Sequence, residues 1–368
     1  MKEIVKFIKS EMIFVVSIIL AVVSAFFVTP NKEYVEYIDF KVLAILFCMM
    51  LVVEGLSRTG FFFMLMKNML KITKDIRSLI FVLVAITFFS SMFITNDVAL
   101  ITFVPYSIMV LRKVKMEKYL IYVISLLTIA ANLGSMVLPM GNPHNLYLYS
   151  VSDMSMMDFM KVILPYTVLS FVLLAVASFV IKGHKVVLNE ENNTMLDKKK
   201  FALILVEFII CILVVVKVVP YQIALVVICA MVFILDKSIF KKADYILLVT
   251  FVMFFIFVGN VKNISVISDV LSGITKGNEL IVSVLASQVI SNVPASILLA
   301  GFTNNMKELI IGLNFGGLGT LIASMANLIS YKIYAREDDA KTGKYIMVFS
   351  GICILFLACL ILMYKILG

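Results

Sequence analysis

The chain has 368 residues, 62% of them hydrophobic and 15% charged, with a mean hydropathy of +1.08. A soluble domain is nearer half apolar and a quarter charged, so this composition excludes an ordinary soluble enzyme or binding module and indicates an integral membrane protein. The net charge of +9 does not point to nucleic acid, because membrane proteins concentrate Lys and Arg in their cytoplasmic loops.

In chain order, Lys2, Lys6 and Lys9 precede an apolar run from Met12 to Val28. That run is longer than a signal-peptide core and lacks a small-x-small cleavage site, so it reads as the first span. About nine full spans are expected, at 12–29, 38–57, 118–150, 161–181, 201–218, 220–235, 243–260, 307–331 and 345–366. The fold class is all-α and membrane-embedded. Lys67, Lys71 and Lys74 follow the run FFFMLM at helical spacing, which predicts an amphipathic helix on the cytoplasmic surface. The longest polar stretch, Lys182 to Lys200, is a linker.

Two apolar segments do not fit a simple span. Leu79–Leu111 runs 33 residues without Lys or Arg. As one helix it would reach about 50 Å against a hydrocarbon core of about 30 Å. Two spans with a turn need roughly 40 residues. The segment therefore predicts a re-entrant hairpin of two half-helices, breaking near Thr95-Asn96-Asp97. Glu279–Thr303 carries Ser291-Asn292-Val293-Pro294 at its centre. Proline removes a donor and disfavours helix at the residue before it, so a second hairpin is expected there.

Charge fixes the expected orientation. With both segments as hairpins, 24 of the 32 Lys and Arg residues fall on one side, and the positive-inside rule makes that side cytoplasmic. The first hairpin then enters from the cytoplasm and the second from outside, with the N-terminus inside and the C-terminus outside. The predicted organisation is a first inverted repeat over 1–181, a linker plus connecting span over 182–219, and a second repeat over 220–368.

Residue matches support that repeat. A shift of 196 places Ser91, Ile94, Asn96, Ala99 and Ile101 on Ser287, Ile290, Asn292, Ala295 and Ile297. A shift of 182 places Asn132, Gly134, Asn145, Leu146 and Tyr149 on Asn314, Gly316, Asn327, Leu328 and Tyr331. Polar residues meet polar residues in the same order, whereas chance alignment of two oily sequences would match Leu, Ile and Val. The second block lies inside full spans yet holds Gly134, Pro139, Gly141 and Pro143 in one half and Gly316, Gly317 and Gly319 in the other. Both spans are expected to unwind at mid-depth, where irregular backbone is tolerated only inside protein or along a wet cavity.

The two hairpin tips and two unwound loops are expected to meet. Half-helix N-termini favour an anion and freed carbonyls favour a cation such as Na⁺. Candidate binding residues are Thr95, Asn96, Asp97, Asn132, Gly134, Asn142, Asn145, Ser291, Asn292, Asn314, Gly316, Thr320 and Asn327. Asn residues that only glue helices together are the competing explanation; six of them in matched places at helix breaks favour binding. Two roles fit Asp97: a ligand for Na⁺ or the coupling proton, or an N-cap of the following half-helix. His144, beside the unwound loop and matched by Ala326, is a second candidate for proton coupling.

At these motifs the chain resembles the ion transporter superfamily of citrate-transporter-like permeases, a group that includes divalent anion/sodium symporters, arsenite permeases and sodium/proton antiporters. FITNDVALITFVP (93–105) and LPMGNPHNLYLY (138–149) are similar to its first-repeat signatures, and VISNVPAS (289–296) and NFGGLGTLIASMANLISY (314–331) to those of the second. The resemblance implies two inverted repeats, a scaffold that often dimerises, and a transport domain moving as an elevator. The family's binding motifs map onto Thr95-Asn96 and Ser291-Asn292. The symporters' Ser-Asn-Thr pattern is incomplete, with Asp97 and Val293 in the third positions.

The remaining ionisable residues have plainer roles. Glu54 stands four residues before Arg58, the spacing of a helical ion pair, and Glu207 in the connecting span suggests packing or a dimer contact. The five cysteines all lie in apolar runs without metal-ligand spacing. No HExxH, nucleotide-binding loop or catalytic triad signature is present, which weighs against an enzyme and leaves an ATP-driven pump needing a separate partner. The expected activity is secondary transport of a small anion coupled to Na⁺ or H⁺, without a cofactor beyond that ion; a sodium/proton antiporter or arsenite permease is the alternative.

Overall fold

The computed structural model describes residues 11–70, 73–185 and 196–367. They are helical, and the one pairing of extended backbone among them is an isolated bridge between Asp75 and Lys185. The first series is α1 (Met12–Ala25), α2 (Phe40–Arg58), α3 (Phe61–Leu70), α4 (Ile76–Ile94), α5 (Asn96–Lys113), α6 (Leu120–Gly134), α7 (Pro143–Val151) and α8 (Met156–Phe179). The second is α9 (Lys198–Val215), α10 (Tyr221–Asp236), α11 (Tyr245–Lys262), α12 (Ser265–Thr275), α13 (Glu279–Ile290), α14 (Asn292–Leu299), α15 (Met306–Gly316), α16 (Met325–Tyr334) and α17 (Thr342–Leu367).

Short polar residues start many of these helices. The Asp39 carboxylate accepts from the Val42 N–H at the start of α2, and the Asp244 carboxylate accepts from the Leu247 N–H at the start of α11, both at 2.9 Å. Asp75 and Ser78 form a reciprocal capping box on α4, and Asp197 caps α9. Such caps are worth about 1 kcal/mol each.

Six helical runs among the described residues are long and apolar enough to cross a membrane: Phe40–Arg58, Ile76–Ile94, Met156–Phe179, Tyr221–Lys242, Tyr245–Lys262 and Thr342–Leu367. The expected spans at 118–150 and 307–331 are each interrupted. α1 has 14 residues; α9 has 18 but opens on three lysines and contains Glu207. α4 and α5 are also longer than the expected half-helices, at 19 and 18 residues. Charged residues extend them: the Arg77 Nε donates to the Ile181 carbonyl at 2.8 Å, and α5 runs on through Arg112 and Lys113. In the second half α13 and α14 are short, 12 and 8 residues. The surface helix expected around Lys67, Lys71 and Lys74 corresponds to α3; the side chain of Lys67 and all of Lys71 lie outside the described residues, as do Lys2, Lys6 and Lys9.

α6 and α15 are the two central helices. α6 is buried from Val123 to Gly134 and packs on both α4 and α5; α15 is buried from Leu309 to Gly316 and packs on both α13 and α14. The series also interlock: α1 packs on α11 and α10 on α2, while α5 packs on α16 and α14 on α7. Peripheral helices turn Ile234, Met347 and Val289 outward, each at least 74% exposed, as a lipid-facing surface requires. At the helix ends, the Arg58 guanidinium pairs with Glu54 and Asp236, each at 2.8 Å, and Arg112 pairs with Glu337 at 2.8 Å and with Asp339. The five cysteines are unbridged.

Candidate functional site

The site begins at two breaks of one residue each. α4 ends and α5 starts at Thr95, with φ 66° and ψ 150°; α13 ends and α14 starts at Ser291, with φ 72° and ψ 153°. This backbone region is nearly reserved for glycine and costs a side-chain-bearing residue about 1–3 kcal/mol. Neither residue caps the helix that follows with its side chain. The Asp97 N–H is taken by the Asn96 side-chain oxygen at 2.9 Å, and the Asn292 N–H by the Ala323 carbonyl at 3.0 Å.

Two further breaks, at residues 135–142 and 317–324, interrupt what would otherwise be spans. Each ends on an extended N-cap residue: Asn142 at φ −149°, ψ 138° before α7, and Ser324 at φ −145°, ψ 142° before α16. Before each break a glycine presses against the hairpin leg beside it. A β-carbon on Gly134 would collide with the Phe88 carbonyl and the Ser91 hydroxyl; one on Gly316 would collide with the Ser287 side chain. The two glycines are thus needed for close helix approach rather than for turn geometry.

Buried amides tie the parts together. Asn96 donates to the Asn132 Oδ1 at 3.2 Å, which also accepts from the Ser324 hydroxyl at 3.0 Å. Asn132 in turn donates to the Asn327 Oδ1 at 2.7 Å and to the Thr128 carbonyl at 3.2 Å. Asn145 and Asn314 exchange two hydrogen bonds, 3.0 and 2.8 Å, and Asn314 also donates to the Ile310 carbonyl at 2.8 Å. A shift of 182 converts Asn132 paired with Asn327 into Asn314 paired with Asn145, and Thr128 into Ile310. The two clusters share one design, each joining the first half to the second. His144 is buried with Nδ1 2.7 Å from the Asn142 Oδ1 and Nε2 3.3 Å from the Asn314 Oδ1.

The breaks converge on a small cavity with room for about one water-sized group. Asn96, Asp97, Asn292, Val293, Asn142, Pro143, Ser324 and Met325 line it, with Leu247 from the first turn of α11. The first eight are the opening residues or N-caps of α5, α14, α7 and α16. Four helix N-termini therefore point at one place, each bringing a positive dipole end. No basic side chain lines the cavity, and Asp97 is its one carboxylate. The Asp97 Oδ1 is buried without a hydrogen-bond partner, as is the Ser291 hydroxyl.

Of the residues singled out in the sequence, Asn96, Asp97, Asn142 and Asn292 line the cavity. Asn132, Asn145, Asn314 and Asn327 form the supporting clusters, and Thr95 and Ser291 form the breaks. Gly134 and Gly316 provide the close packing. Thr320 is exposed and directs its hydroxyl at the Gln288 carbonyl, 3.4 Å away. Ser324 was not anticipated, although a shift of 182 pairs it with Asn142. Gln288 was also missed: its side chain holds the 317–320 loop through the Gly316 and Leu318 carbonyls and the Thr320 N–H.

A family model described as a citrate transporter matches residues 4–308. The chain is 30% identical over 342 residues to an uncharacterized transporter of Methanocaldococcus jannaschii, covering 91% of this chain and 92% of that protein. It is 27% identical over 334 residues to the inner membrane protein YbiR of Escherichia coli, covering 88% of each.

Proposed function

The chain belongs to the citrate transporter family, and we propose that it is a secondary active transporter moving a small anion, a carboxylate or inorganic oxyanion, across the cytoplasmic membrane with Na⁺ or H⁺. The observation that carries this reading is the meeting of four helix N-termini around one cavity that has no basic side chain. Backbone N–H groups and dipole ends attract an anion without a fixed positive charge that would hold it too tightly. Asn96, Asn142, Asn292 and Ser324 add neutral donors and acceptors. Asp97 supplies a negative oxygen beside them, and a co-bound Na⁺ or a proton on that oxygen removes its repulsion toward the anion. His144, one residue into α7, is a further group through which a proton can be coupled.

The cavity is too small for citrate in this arrangement, so the tips part to admit a substrate of that size. The paired backbone shapes at Thr95 and Ser291 and the paired amide clusters support two inverted repeats over 1–181 and 220–368, joined by α9. On this reading the body built from α4–α7 and α13–α16 moves as an elevator against the remaining helices, in a homodimer with its N-terminus inside and C-terminus outside.

Uptake by proteoliposomes tests the proposal, with citrate, phosphate and arsenite offered under imposed Na⁺ or pH gradients. The expected result is gradient-driven uptake of one of them, abolished in Asn96→Ala and in Asn292→Ala. Full uptake by both variants would refute the site. The partnerless Asp97 oxygen favours a second reading, a sodium/proton antiporter. Na⁺-dependent proton movement without any anion, lost in Asp97→Asn, would select it.

A further inference from the structure

We propose that Glu207, in the helix joining the two halves, is a proton-binding site whose proton is coupled to transport; its coupling role rests on the transporter reading above. Glu207 lies near the middle of α9 and is completely buried, and neither carboxylate oxygen has a hydrogen-bond partner. α9 packs chiefly on α2 and also on α10. The titratable groups nearby are thiols. Cys211, one turn along α9, interacts electrostatically with both Glu207 and Cys48 of α2, and Cys229 of α10 interacts with Cys48. Tyr221 opens α10, and Glu54, farther along α2, is held by Arg58. No Lys, Arg or His stands against Glu207 among these groups.

An ionised carboxylate in that setting lacks both a counter-charge and a donor, which strongly disfavours it. The neutral acid is the form that fits, and even that form leaves its O–H unpaired. Packing alone would be served better by an apolar residue, and a carboxyl at this depth in a membrane helix points to ion or proton handling. A small, mostly apolar cavity bounded by Cys48, Cys211, Val214, Tyr221, Ala224 and Ile228 lies one turn away, between α9, α2 and α10. On the other side, Phe208 packs against Phe93, ring centroids 6.4 Å apart, two residues before the Thr95 break. Proton occupancy of Glu207 is therefore linked to the tip. Protonated, the side chain stays buried against α2. Deprotonated, it requires water, and a displacement of the tip that hydrates it is coupled to proton release.

The protein in lipid nanodiscs is treated with dicyclohexylcarbodiimide, which attacks protonated buried carboxyls, and the modified residue is located by mass spectrometry across a pH series. Glu207 should be labelled at acidic pH, with labelling falling about tenfold per pH unit above its titration point. Glu207→Asp should titrate at a displaced pH. In proteoliposomes that carry out uptake, Glu207→Gln should flatten the pH dependence and Glu207→Asp should shift it. Absent labelling, or labelling that does not vary with pH, would overturn the proton site. An unaltered pH profile in Glu207→Gln would overturn the coupling. Absence of uptake in the wild type would count against the transporter reading alone, since labelling is read without a substrate.

Discussion

Thr95 and Ser291 hold backbone angles that a β-carbon resists, and the surrounding packing maintains them. Thr95→Gly and Ser291→Gly relieve that strain at the expense of chain entropy. Each should leave thermal stability in detergent unchanged or raise it by about 1 kcal/mol, while Thr95→Pro, with φ fixed near −65°, should lower it by several kcal/mol. The two close-packed glycines make a sharper pair. A β-carbon on Gly134 meets the Phe88 backbone as well as the Ser91 hydroxyl, whereas on Gly316 it collides with the Ser287 side chain and stands only 3.1 Å from the Ser283 carbonyl. Overpacking of this kind costs about 1–3 kcal/mol. Removing the obstructing serine should therefore rescue one site only: Gly316→Ala with Ser287→Gly should recover most of the lost melting temperature, and Gly134→Ala with Ser91→Gly should not. Equal rescue at both would contradict the contacts described.

At the scale of elements, the ends of helices carry the chemistry and much of the local stability. The Ser78 N–H holds the Asp75 carboxyl below the usual carboxylate range where it caps α4, a polar end outside the apolar span. A carboxyl depressed in the folded state contributes stability that is present above its unfolded pKa and lost as pH falls through the folded one. Asp75→Ala should thus cost about 1 kcal/mol at neutral pH, and the difference from wild type should shrink on acidification, read from melting curves at several pH values. The helix breaks were legible in the sequence because Thr95-Asn96-Asp97 and Ser291-Asn292-Val293-Pro294 interrupt oily runs with residues that tolerate or force a break. Ser324 was not, because its counterpart is Asn142: the two share a backbone shape and a cap position but not a side chain. Thr320 was singled out as a hydroxyl beside glycines, and in the fold that hydroxyl faces the Gln288 carbonyl. The meeting of the two tips and the two unwound loops was expected from the paired breaks, whereas which of their residues line the cavity depends on how α5, α7, α14 and α16 cross.

The whole molecule is held together by exchange between its halves. α5 packs on α16 and α14 on α7, so the tip of each half rests on the broken span of the other, while the Asn132–Asn327 pair joins α6 to α16 and the Asn145–Asn314 pair joins α7 to α15. Four buried amides that satisfy one another are costly to separate, at about 1–3 kcal/mol for each polar group left unpaired. The body formed by α4–α7 and α13–α16 is therefore expected to move as a unit, with sliding concentrated where it meets other helices through apolar contacts alone. The Phe93–Phe208 contact is one such place: two apolar rings 6.4 Å apart, between the end of α4 and α9. An elevator displaces these residues relative to each other, whereas a rocking of the halves inside the amide clusters does not require it. In a background lacking the five native cysteines, Phe93→Cys with Phe208→Cys bridged by a short bifunctional thiol reagent should abolish gradient-driven uptake, and cleavage of a reducible bridge should restore it. Each single variant should keep uptake under the same treatment. Undiminished uptake by the bridged protein would show that α4 and α9 do not separate during the cycle, and would place the moving boundary elsewhere.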